Sequence, residues 1–328
     1  MNYNDKRHIL LAKLKESSDW LSGTALSKEL DISRAAISKH VQALRKLGYT
    51  IDTQTNKGIR YISSPDKVIP DELKPFLLNN TVVGSKFFFA DEIDSTNVKA
   101  HSLAEKGTED GTVILAEKQT AGKGRLGRQW ESPDATGIYC SVILKPKLAL
   151  PETALITFIV AIAISEAIRE CSPTLQTQIK WPNDILVNEK KVVGVLTEAS
   201  AEMQHVNYIV VGFGINVNTP PEKLPQRVIF PASSLLAESG SKVDRIKLTA
   251  LCLKQLDFWY NCLQTENGSE KILKRWRKLS SMTGRKVTVQ QVNGEISGTI
   301  EGVAKDGALL VKDTQNTIHT IYSGDVKY

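Results

Sequence analysis

Residues 22–63 carry the feature that most restricts the fold, namely two short amphipathic helical segments followed by two segments of alternating polarity. Asp31-Ile32 makes a tight turn between the helices, and the second helix ends at Gly48. The alternating segments flank Asn56-Lys57-Gly58, which is typical of a hairpin turn. Two helices followed directly by a hairpin predict a winged helix-turn-helix.

The polar side of the second helix is suited to contact DNA. Ser22 or Thr24 is placed to cap the first helix, and Ser33 caps the second. Residues 1–65 hold 11 Lys and Arg against 6 Asp and Glu, so this segment carries five of the six net positive charges. A protein-interaction module is the alternative, but the charge and the short polar side chains favour DNA. We expect His40 on this exposed side as well. The side chains expected to contact DNA are Thr24, Ser33, Arg34, Ser38, Lys39, Gln42 and Arg45.

Composition excludes several protein classes. Hydrophobic residues make up 41% of the 328 residues, as in ordinary globular proteins. No apolar run reaches the roughly 18 residues of a membrane span, and the first residues are too polar for a secretory signal. The four cysteines share no metal-ligand spacing. We therefore expect a cytoplasmic protein with reduced thiols, no membrane contact and no metal-binding side-chain cluster.

The remaining chain divides into three parts. Three prolines between residues 63 and 80 predict a linker over 66–83 with one short helix. In residues 84–281 strands outnumber helices and several are joined by tight turns, which favours a mixed, mainly antiparallel sheet with helices on one side. Residues 282–328 contain about five short strands between glycine turns, which predicts a small SH3-like barrel. The predicted fold class is α+β with several domains.

The segment GKGRLGRQW, from Gly122 to Trp130, combines three glycines with three cations. It lacks the spacing of a P-loop, and as a dinucleotide fingerprint it is weak because no helix follows. Glycines let backbone N–H groups approach an anion, and Lys123, Arg125 and Arg128 can neutralise phosphate or carboxylate oxygens. The loop therefore predicts an anion site, with a nucleic-acid patch as the alternative.

Four motifs in order carry a family resemblance: DSTN (94–97), QTAGKGRLGRQW (119–130), KWPND (180–184) and GFGINVN (212–218). With them the chain resembles the biotin protein ligases. Together with the winged domain it resembles their bifunctional type, which also represses biotin synthesis genes. The family loop usually reads G-R-G-R-x-G-R. Here Lys123 replaces an arginine, which keeps the charge but loses the bidentate fork.

The resemblance implies a two-step reaction in a class II synthetase-like domain. Biotin attacks the α-phosphate of ATP, with Mg²⁺, to give biotinyl-5′-AMP and pyrophosphate. A specific lysine of a biotin carboxyl carrier domain then attacks the adenylate. The resemblance also implies that biotinyl-5′-AMP is the corepressor, that ligand promotes a homodimer and that the partner DNA is the operator of biotin genes.

The resemblance also assigns roles to residues of this chain. The residues implied in biotin binding are Ser95, Thr96, Asn97, Gln119, Lys123, Gly124, Arg125, Lys191, Gly194 and Gly212. Those implied in nucleotide binding are Arg128, Trp130, Asn183 and Asn216. Those implied in catalysis are Arg125, Lys180, Asp184 and Lys191. Structural alternatives are a helix N-cap for Ser95-Thr96, an internal ion pair for Lys180 and Asp184, and a solvated hairpin charge for Lys191.

Two other functions compete with this one. A ligand-sensing transcription factor without turnover would need neither KWPND nor the cation-rich loop. Lipoate ligases and octanoyltransferases share the central architecture but lack KWPND and the winged domain.

Overall fold

The chain folds into two units, Met1–Lys67 and Val68–Tyr328, in the computed structural model of the protein. The structure describes residues 3–202, 205–225, 231–291 and 294–328.

The first unit is the predicted winged helix-turn-helix. Ser22, and not Thr24, caps the helix Gly23–Leu30, which is the first of the two predicted helices. Ser33 caps the second predicted helix, as expected, by accepting from the backbone N–H of Ala36. The helix that precedes both was not predicted, and it supplies Leu10 and Leu14 to the core of the unit. The elements are α1 (Tyr3–Glu16), α2 (Gly23–Leu30), α3 (Arg34–Lys46), β1 (Thr50–Gln54) and β2 (Gly58–Ser63), with β1 and β2 paired antiparallel.

Two side chains of α3 depart from the predicted exposed face. His40 is 1% exposed because it lies one turn from Ile37 on the buried stripe, and this burial lowers its pKa. The prediction of an exposed His40 is wrong. Arg45 donates from Nε and Nη2 to the carbonyl oxygen of Ile51, at 3.0 and 2.6 Å, and so fastens the helix to the hairpin.

The predicted linker is largely part of the second unit. From Val68 onward the chain is packed into that unit, with a short helix α4 (Pro70–Leu73) and buried Leu73 and Val83. The carboxylate of Glu117 accepts the amide of Val68 at 2.6 Å and pairs with Arg245 at 2.9 Å, both carboxylate and guanidinium being almost fully buried. Prolines here direct a packed segment, so the linker prediction is wrong for residues 68–83.

The second unit is built on a seven-stranded sheet in the order β3-β4-β5-β9-β8-β7-β6. Only β3 and β4 are parallel among these strands, which confirms the mixed, mainly antiparallel prediction. The strands are β3 (Phe87–Ile93), β4 (Thr112–Gln119), β5 (Ile138–Leu144), β6 (Thr177–Lys180), β7 (Asp184–Val187), β8 (Lys190–Glu202) and β9 (His205–Ile215).

Helices cover both faces of this sheet, and the prediction of helices on one side is wrong. The helices are α5 (Thr96–Glu105), α6 (Ala154–Cys171), α7 (Leu235–Ser239), α8 (Arg245–Leu263) and α9 (Gly268–Leu279). The long α6, with α8 and α9, packs in the main core. On the opposite face Ala100 and Ala104 of α5 pack on Ile114, Ile143 and Val210, because the central strands are apolar on both sides.

The predicted C-terminal barrel is a five-stranded antiparallel sheet with the order β13-β12-β11-β10-β14. It belongs to the same unit as the central sheet, and the indole Nε1 of Trp181 donates to the carbonyl oxygen of Gly307 at 3.0 Å. In the described ranges, no helix has both the length and the apolar composition needed to cross a membrane. The strands are β10 (Lys286–Gln291), β11 (Gly294–Val303), β12 (Leu309–Lys312), β13 (Ile318–Ile321) and β14 (Asp325–Lys327).

Candidate active site

A cavity of about 530 Å³ lies on the face of the central sheet that α5 covers, at the N-terminal end of that helix. Glycines form its floor. A Cβ built on Gly212 would lie 1.9 Å from Oδ1 of Asn97, and one built on Gly214 would lie 2.3 Å from Nε1 of Trp130. Any side chain at these two positions would therefore collide with Asn97 or Trp130. Glycine is the residue that leaves room for both side chains.

Every residue to which the sequence assigns biotin binding, nucleotide binding or catalysis lines this cavity. They arrive from α5, β4, the glycine-basic loop, the β6–β7 turn, β8 and β9. These residues are Ser95, Thr96, Asn97, Gln119, Lys123, Gly124, Arg125, Arg128, Trp130, Lys180, Asn183, Asp184, Lys191, Gly194, Gly212 and Asn216.

One end of the cavity is polar, and a hydrogen-bond network fixes its side chains. The backbone N–H of Thr96 donates to Oε1 of Gln119 at 2.8 Å, and the Thr96 hydroxyl donates to the same oxygen at 3.1 Å. Gln119 in turn donates from Nε2 to Oγ of Ser132 at 2.9 Å. These bonds define which end of the Gln119 amide points in each direction.

Ser95 lies at the predicted N-cap position of α5, but its side chain makes no capping hydrogen bond. Its hydroxyl is buried, and no hydrogen-bond partner for it occurs among the described residues. A buried hydroxyl without a partner costs about 1–3 kcal/mol. A ligand atom in the cavity would remove that cost.

The other end of the cavity is rich in cations. Nζ of Lys191 lies 2.7 Å from Oδ1 of Asp184, so Lys191 is not the solvated charge of the structural alternative. Lys180 stands opposite Asp184 across the β6–β7 hairpin, and its ammonium lies 5.9 Å from the ring of Tyr328. Burial first, and then the neighbouring charge of Lys191, lower the pKa of Lys180 to about 8 against the opposing effect of Asp184. Asp184 therefore pairs with Lys191.

The glycine-basic loop is a closed turn over the cavity. Gly124 N–H donates to the carbonyl oxygen of Arg128 at 2.7 Å, and Trp130 N–H donates to that of Gly122 at 2.9 Å. Leu126 takes a left-handed conformation with φ of 55° at the tip and is exposed. The loop thus turns back on itself so that its cations border the cavity.

Two arginines of the loop are held by polar partners. Arg125 donates from Nη1 to Oδ1 of Asn183 at 3.3 Å, and burial lowers its pKa despite the nearby Asp325 and Asp184. Arg128 makes a two-pronged ion pair with Asp325 of β14, which raises the pKa of Arg128 and lowers that of Asp325. The C-terminal barrel therefore supplies one wall of the cationic end.

Trp130 rests on the glycine floor. Atoms of its indole lie nearest the Cβ positions of both Gly194 and Gly214, and the ammonium of Lys191 lies 5.4 Å from the ring centroid. Its Nε1 is buried, and no described residue accepts from it. The indole is thus an aromatic surface that packs on the glycine floor beside Lys191.

Two predicted nucleotide residues use their amide donors inside the protein. Asn183 donates from Nδ2 to the carbonyl oxygen of Val195 at 2.6 Å, and Asn216 donates to that of Ser233 at 3.0 Å. In both residues the bonded amide nitrogen stabilises the neighbouring chain. The Oδ1 of Asn183 also accepts from Arg125, so this amide connects the glycine-basic loop to β8.

The sequence did not reveal several contributors to the site. Asp325 and Val326 line the cavity from the C-terminal barrel, and Asp325 lies 197 positions after its partner Arg128. Glu198 accepts from Nδ2 of Asn97 at 2.7 Å, and Ser141 Oγ lies 2.6 Å from Oδ1 of Asn97. Glu198 could have been found from its period-two spacing with Gly194 on β8; the others carried no local signal.

Within the described part of the chain, no group of three His, Cys, Asp or Glu side chains is placed to hold a metal ion. The carboxylates of Asp184 and Asp325 line the cavity, and each is paired with a cation. Mg²⁺ commonly binds through one or two carboxylates together with substrate phosphates. Such a site fits an ion that enters with a nucleotide.

Three parts of the chain match known families. Residues 89–216 match the Biotin/lipoate A/B protein ligase family, residues 6–60 match an HTH domain, and residues 283–327 match the Biotin protein ligase C terminal domain. The bifunctional ligase/repressor BirA of Bacillus spizizenii is 38% identical over 310 residues, which cover 94% of each chain. The protein of the same name from Escherichia coli is 30% identical over 93% of this chain and 92% of its own.

A solved structure agrees with these relatives. The biotin protein ligase of Aquifex aeolicus, in complex with biotin and ATP, superposes with a TM-score of 0.63 at 29% identity, over 74% of this chain and 98% of that one. The family matches, the near full-length relatives and the fold agree. The chain belongs to the biotin protein ligase family, in its bifunctional ligase and repressor form.

Proposed function

We propose that this ligase joins biotin to ATP within the cavity described above and then transfers biotin to a lysine of biotin carboxyl carrier domains. The observation that carries this proposal is the division of one cavity into a neutral polar end and a cationic end. A urea ring fits the first, and a carboxylate meeting a polyphosphate fits the second. The solved relative that binds biotin and ATP supports the same pairing of ligands.

In the first step a biotin carboxylate oxygen attacks the α-phosphorus of ATP. The bond from that phosphorus to the bridging oxygen breaks, and pyrophosphate leaves with the electron pair. Two anions must approach each other, so the cavity must offset their repulsion. We assign this role to Lys191, Arg125 and Lys180, whose cationic groups border the cavity.

Mg²⁺ would supply further positive charge on the phosphates, and Asp184 is the residue best placed to hold it. Lys123 and Arg128 extend the cationic border towards the leaving pyrophosphate. We assign the indole of Trp130 to the nucleotide, because it offers the one large aromatic ring that borders the cavity within the described chain besides Phe213. Phe213 itself belongs to the main core.

In the second step the amine of the acceptor lysine attacks the acyl carbon of the adenylate. AMP leaves, an amide bond forms, and the amine loses its proton. No enzyme nucleophile is required, because the adenylate is already an activated acyl group. A neutral Lys180 or the carboxylate of Asp184 is suited to accept that proton.

The test is biotin-dependent exchange of labelled pyrophosphate into ATP. We expect exchange with biotin and none above background with lipoate. Exchange with lipoate in place of biotin would favour the lipoate ligase alternative. Binding of biotin without exchange would favour a ligand sensor. Labelling of acceptor proteins in a lysate supplied with ATP and biotin would then identify the carrier domains.

The winged unit supports the repressor activity. Arg34, Ser38, Lys39 and Gln42 are exposed on α3, as a recognition helix requires. Thr24 is exposed on α2. The Ser33 hydroxyl caps α3, and the Arg45 guanidinium donates to the backbone of the wing at Ile51. We assign Arg34, Ser38, Lys39 and Gln42 to operator DNA.

We also propose that biotinyl-5′-AMP promotes a homodimer that binds the operator. A single winged unit reads one half-site, and two units joined by a two-fold axis gain from effective concentration. Gel shifts and sedimentation should show that biotin with ATP tightens operator binding and that acceptor domain reverses it. Operator affinity independent of ligand, at concentrations where the unliganded chain is monomeric, would contradict this.

A further inference from the structure

The side chain of Asn97 borders the cavity, and a residue outside the cavity fixes the orientation of its amide. Asn97 lines the polar end and is 4% exposed, and its amide lies against the backbone of Gly212. The amide has two ends of nearly equal size but opposite hydrogen-bonding character. A rotation of the amide would exchange an acceptor for a donor, so something must select one orientation.

Glu198 provides that selection. On β8 it follows Gly194 and Leu196 at period two, so it extends from the same face of the sheet that lines the cavity. Its Oε2 accepts from Nδ2 of Asn97 at 2.7 Å. An ionised carboxylate can only accept, and therefore it draws the nitrogen end of the amide towards itself.

The opposite end of the amide then faces Ser141 and the glycine floor. Ser141 is completely buried, and its Oγ lies 2.6 Å from Oδ1 of Asn97. Of the Asn97 amide atoms, Oδ1 is nearest to the Cβ position of Gly212, at 1.9 Å, with Nδ2 at 3.0 Å. The single hydrogen of the Ser141 hydroxyl also faces Oγ1 of Thr96 at 2.8 Å, so the hydroxyl uses at most one of the two lone pairs on Oδ1 of Asn97. The second can accept an N–H group of a ligand.

Glu198 is itself held in place. His101 lies one helical turn after Asn97 on α5, and its Nε2 is 3.4 Å from the same Oε2 of Glu198. The other ring nitrogen of His101 is 3.4 Å from the hydroxyl of Tyr208 on β9. Two residues of α5 thus converge on one carboxylate of β8, which connects the helix and the strand that border the polar end.

We propose that Glu198 is a positioning residue that fixes the carboxamide of Asn97 with its oxygen towards the ligand, and that this contact sets the preference for a cyclic urea over a dithiolane ring. Glu198 does not border the cavity itself, so it acts through Asn97. The inference rests on the proposed function, since it concerns how the ureido N–H groups of biotin are recognised. Lipoate has no N–H group at the corresponding end.

The experiment compares Glu198→Gln, Asn97→Ala and the double variant by calorimetric titration with biotin. Glutamine keeps the shape but can donate as well as accept, so the Asn97 amide is free to turn. We expect Glu198→Gln to raise the Kd for biotin about tenfold, with the KM for ATP and the melting temperature unchanged. The double variant should bind no more weakly than Asn97→Ala, because both changes remove the same contact.

Glu202→Gln is the matched control, since Glu202 is an exposed glutamate near the end of the same strand. It should bind biotin as the unmodified chain does. The preference for biotin over lipoate should narrow in Glu198→Gln, because only biotin loses a contact. If Glu198→Gln does not fold, Glu198→Asp withdraws the carboxylate by one methylene and should act in the same direction.

A Kd for biotin within twofold of the unmodified chain in Glu198→Gln, or additive effects in the double variant, would overturn the inference while leaving the proposed function intact. Failure of the unmodified chain to bind biotin at all would overturn both.

Discussion

The two ends of the cavity are stabilised by different forces. At the polar end, neutral groups such as the buried Thr96 and the half-buried Gln119 are bonded to one another. At the cationic end, charged groups are paired across the cavity wall, as in Lys191–Asp184 and Arg128–Asp325. Most groups of the first arrangement are bonded before a ligand arrives, although the Ser95 hydroxyl has no partner among the described residues. The second already contains the carboxylates with which a phosphate must compete.

This difference predicts how each end discriminates among ligands. A neutral network rejects a ligand that leaves its groups unpaired, at about 1–3 kcal/mol for each group. A cationic cluster attracts any phosphate, and its contribution depends on charge and salt. Specificity for biotin should therefore reside at the polar end, and rate acceleration at the cationic end.

The largest expected effect comes from removing a central cation. Lys191→Ala should lower the rate of pyrophosphate exchange by roughly 10²–10³, the usual cost of losing one group that stabilises developing charge. Lys190→Ala is the control, because Lys190 is adjacent but pairs with Glu238 at 3.0 Å outside the cavity. Normal exchange in Lys191→Ala would remove this residue from the mechanism.

The next effect should come from the floor of the polar end. In Gly212→Ala the new Cβ would meet Oδ1 of Asn97, which Glu198 and Ser141 hold in place. We expect the Kd for biotin to rise roughly 10–100-fold, since the wall can yield only by breaking its bonds. Gly23→Ala, at a position with nothing within 4 Å, is the control. Equal losses in both variants would point to unfolding.

A smaller effect is expected where the barrel meets the loop. Asp325→Asn removes the charge that holds Arg128, so the unliganded loop should be cleaved by trypsin about three to ten times faster. Biotin with ATP should restore protection in this variant. The same cleavage rate in Asp325→Asn and the unmodified chain would show that the ion pair does not stabilise the loop.

The smallest effect is a dependence on pH. The pKa of Lys180 is about 8, so the amine is charged below that pH and neutral above it. The affinity for ATP should fall about twofold as the pH rises through 8, and Lys180→Gln should abolish this dependence. The unfolded amine keeps its proton up to about 10.5, so stability should rise with pH between 8 and 10.5. A flat profile would show that Lys180 does not contact phosphate.

The sequence predicted the residues that line the cavity better than the residues that hold them in place. Motifs such as KWPND place Lys180 and Asp184 in one turn, and that local grouping survives folding. The ion pair of Arg128 with Asp325 joins residues 197 positions apart, and only the packed barrel brings them together. His40 was misplaced because it lies at the helical spacing of the apolar stripe and is buried with it, although its side chain is polar. Long-range partners and exceptions to hydrophobic patterning are where local reading fails.

The buried contact between Val68 and Glu117 determines how far the ligase unit can be shortened. The backbone N–H of Val68, the first residue of the ligase unit, donates to the carboxylate of Glu117, which also pairs with buried Arg245. A chain that starts at residue 66 keeps this closure and should remain folded and form adenylate without the DNA-binding unit. A chain that starts at residue 84, where the sequence alone would place the boundary, loses the amide, Leu73 and Val83, and leaves the carboxylate open to water. The two units can therefore be separated, or one of them replaced, at a defined point just before Val68.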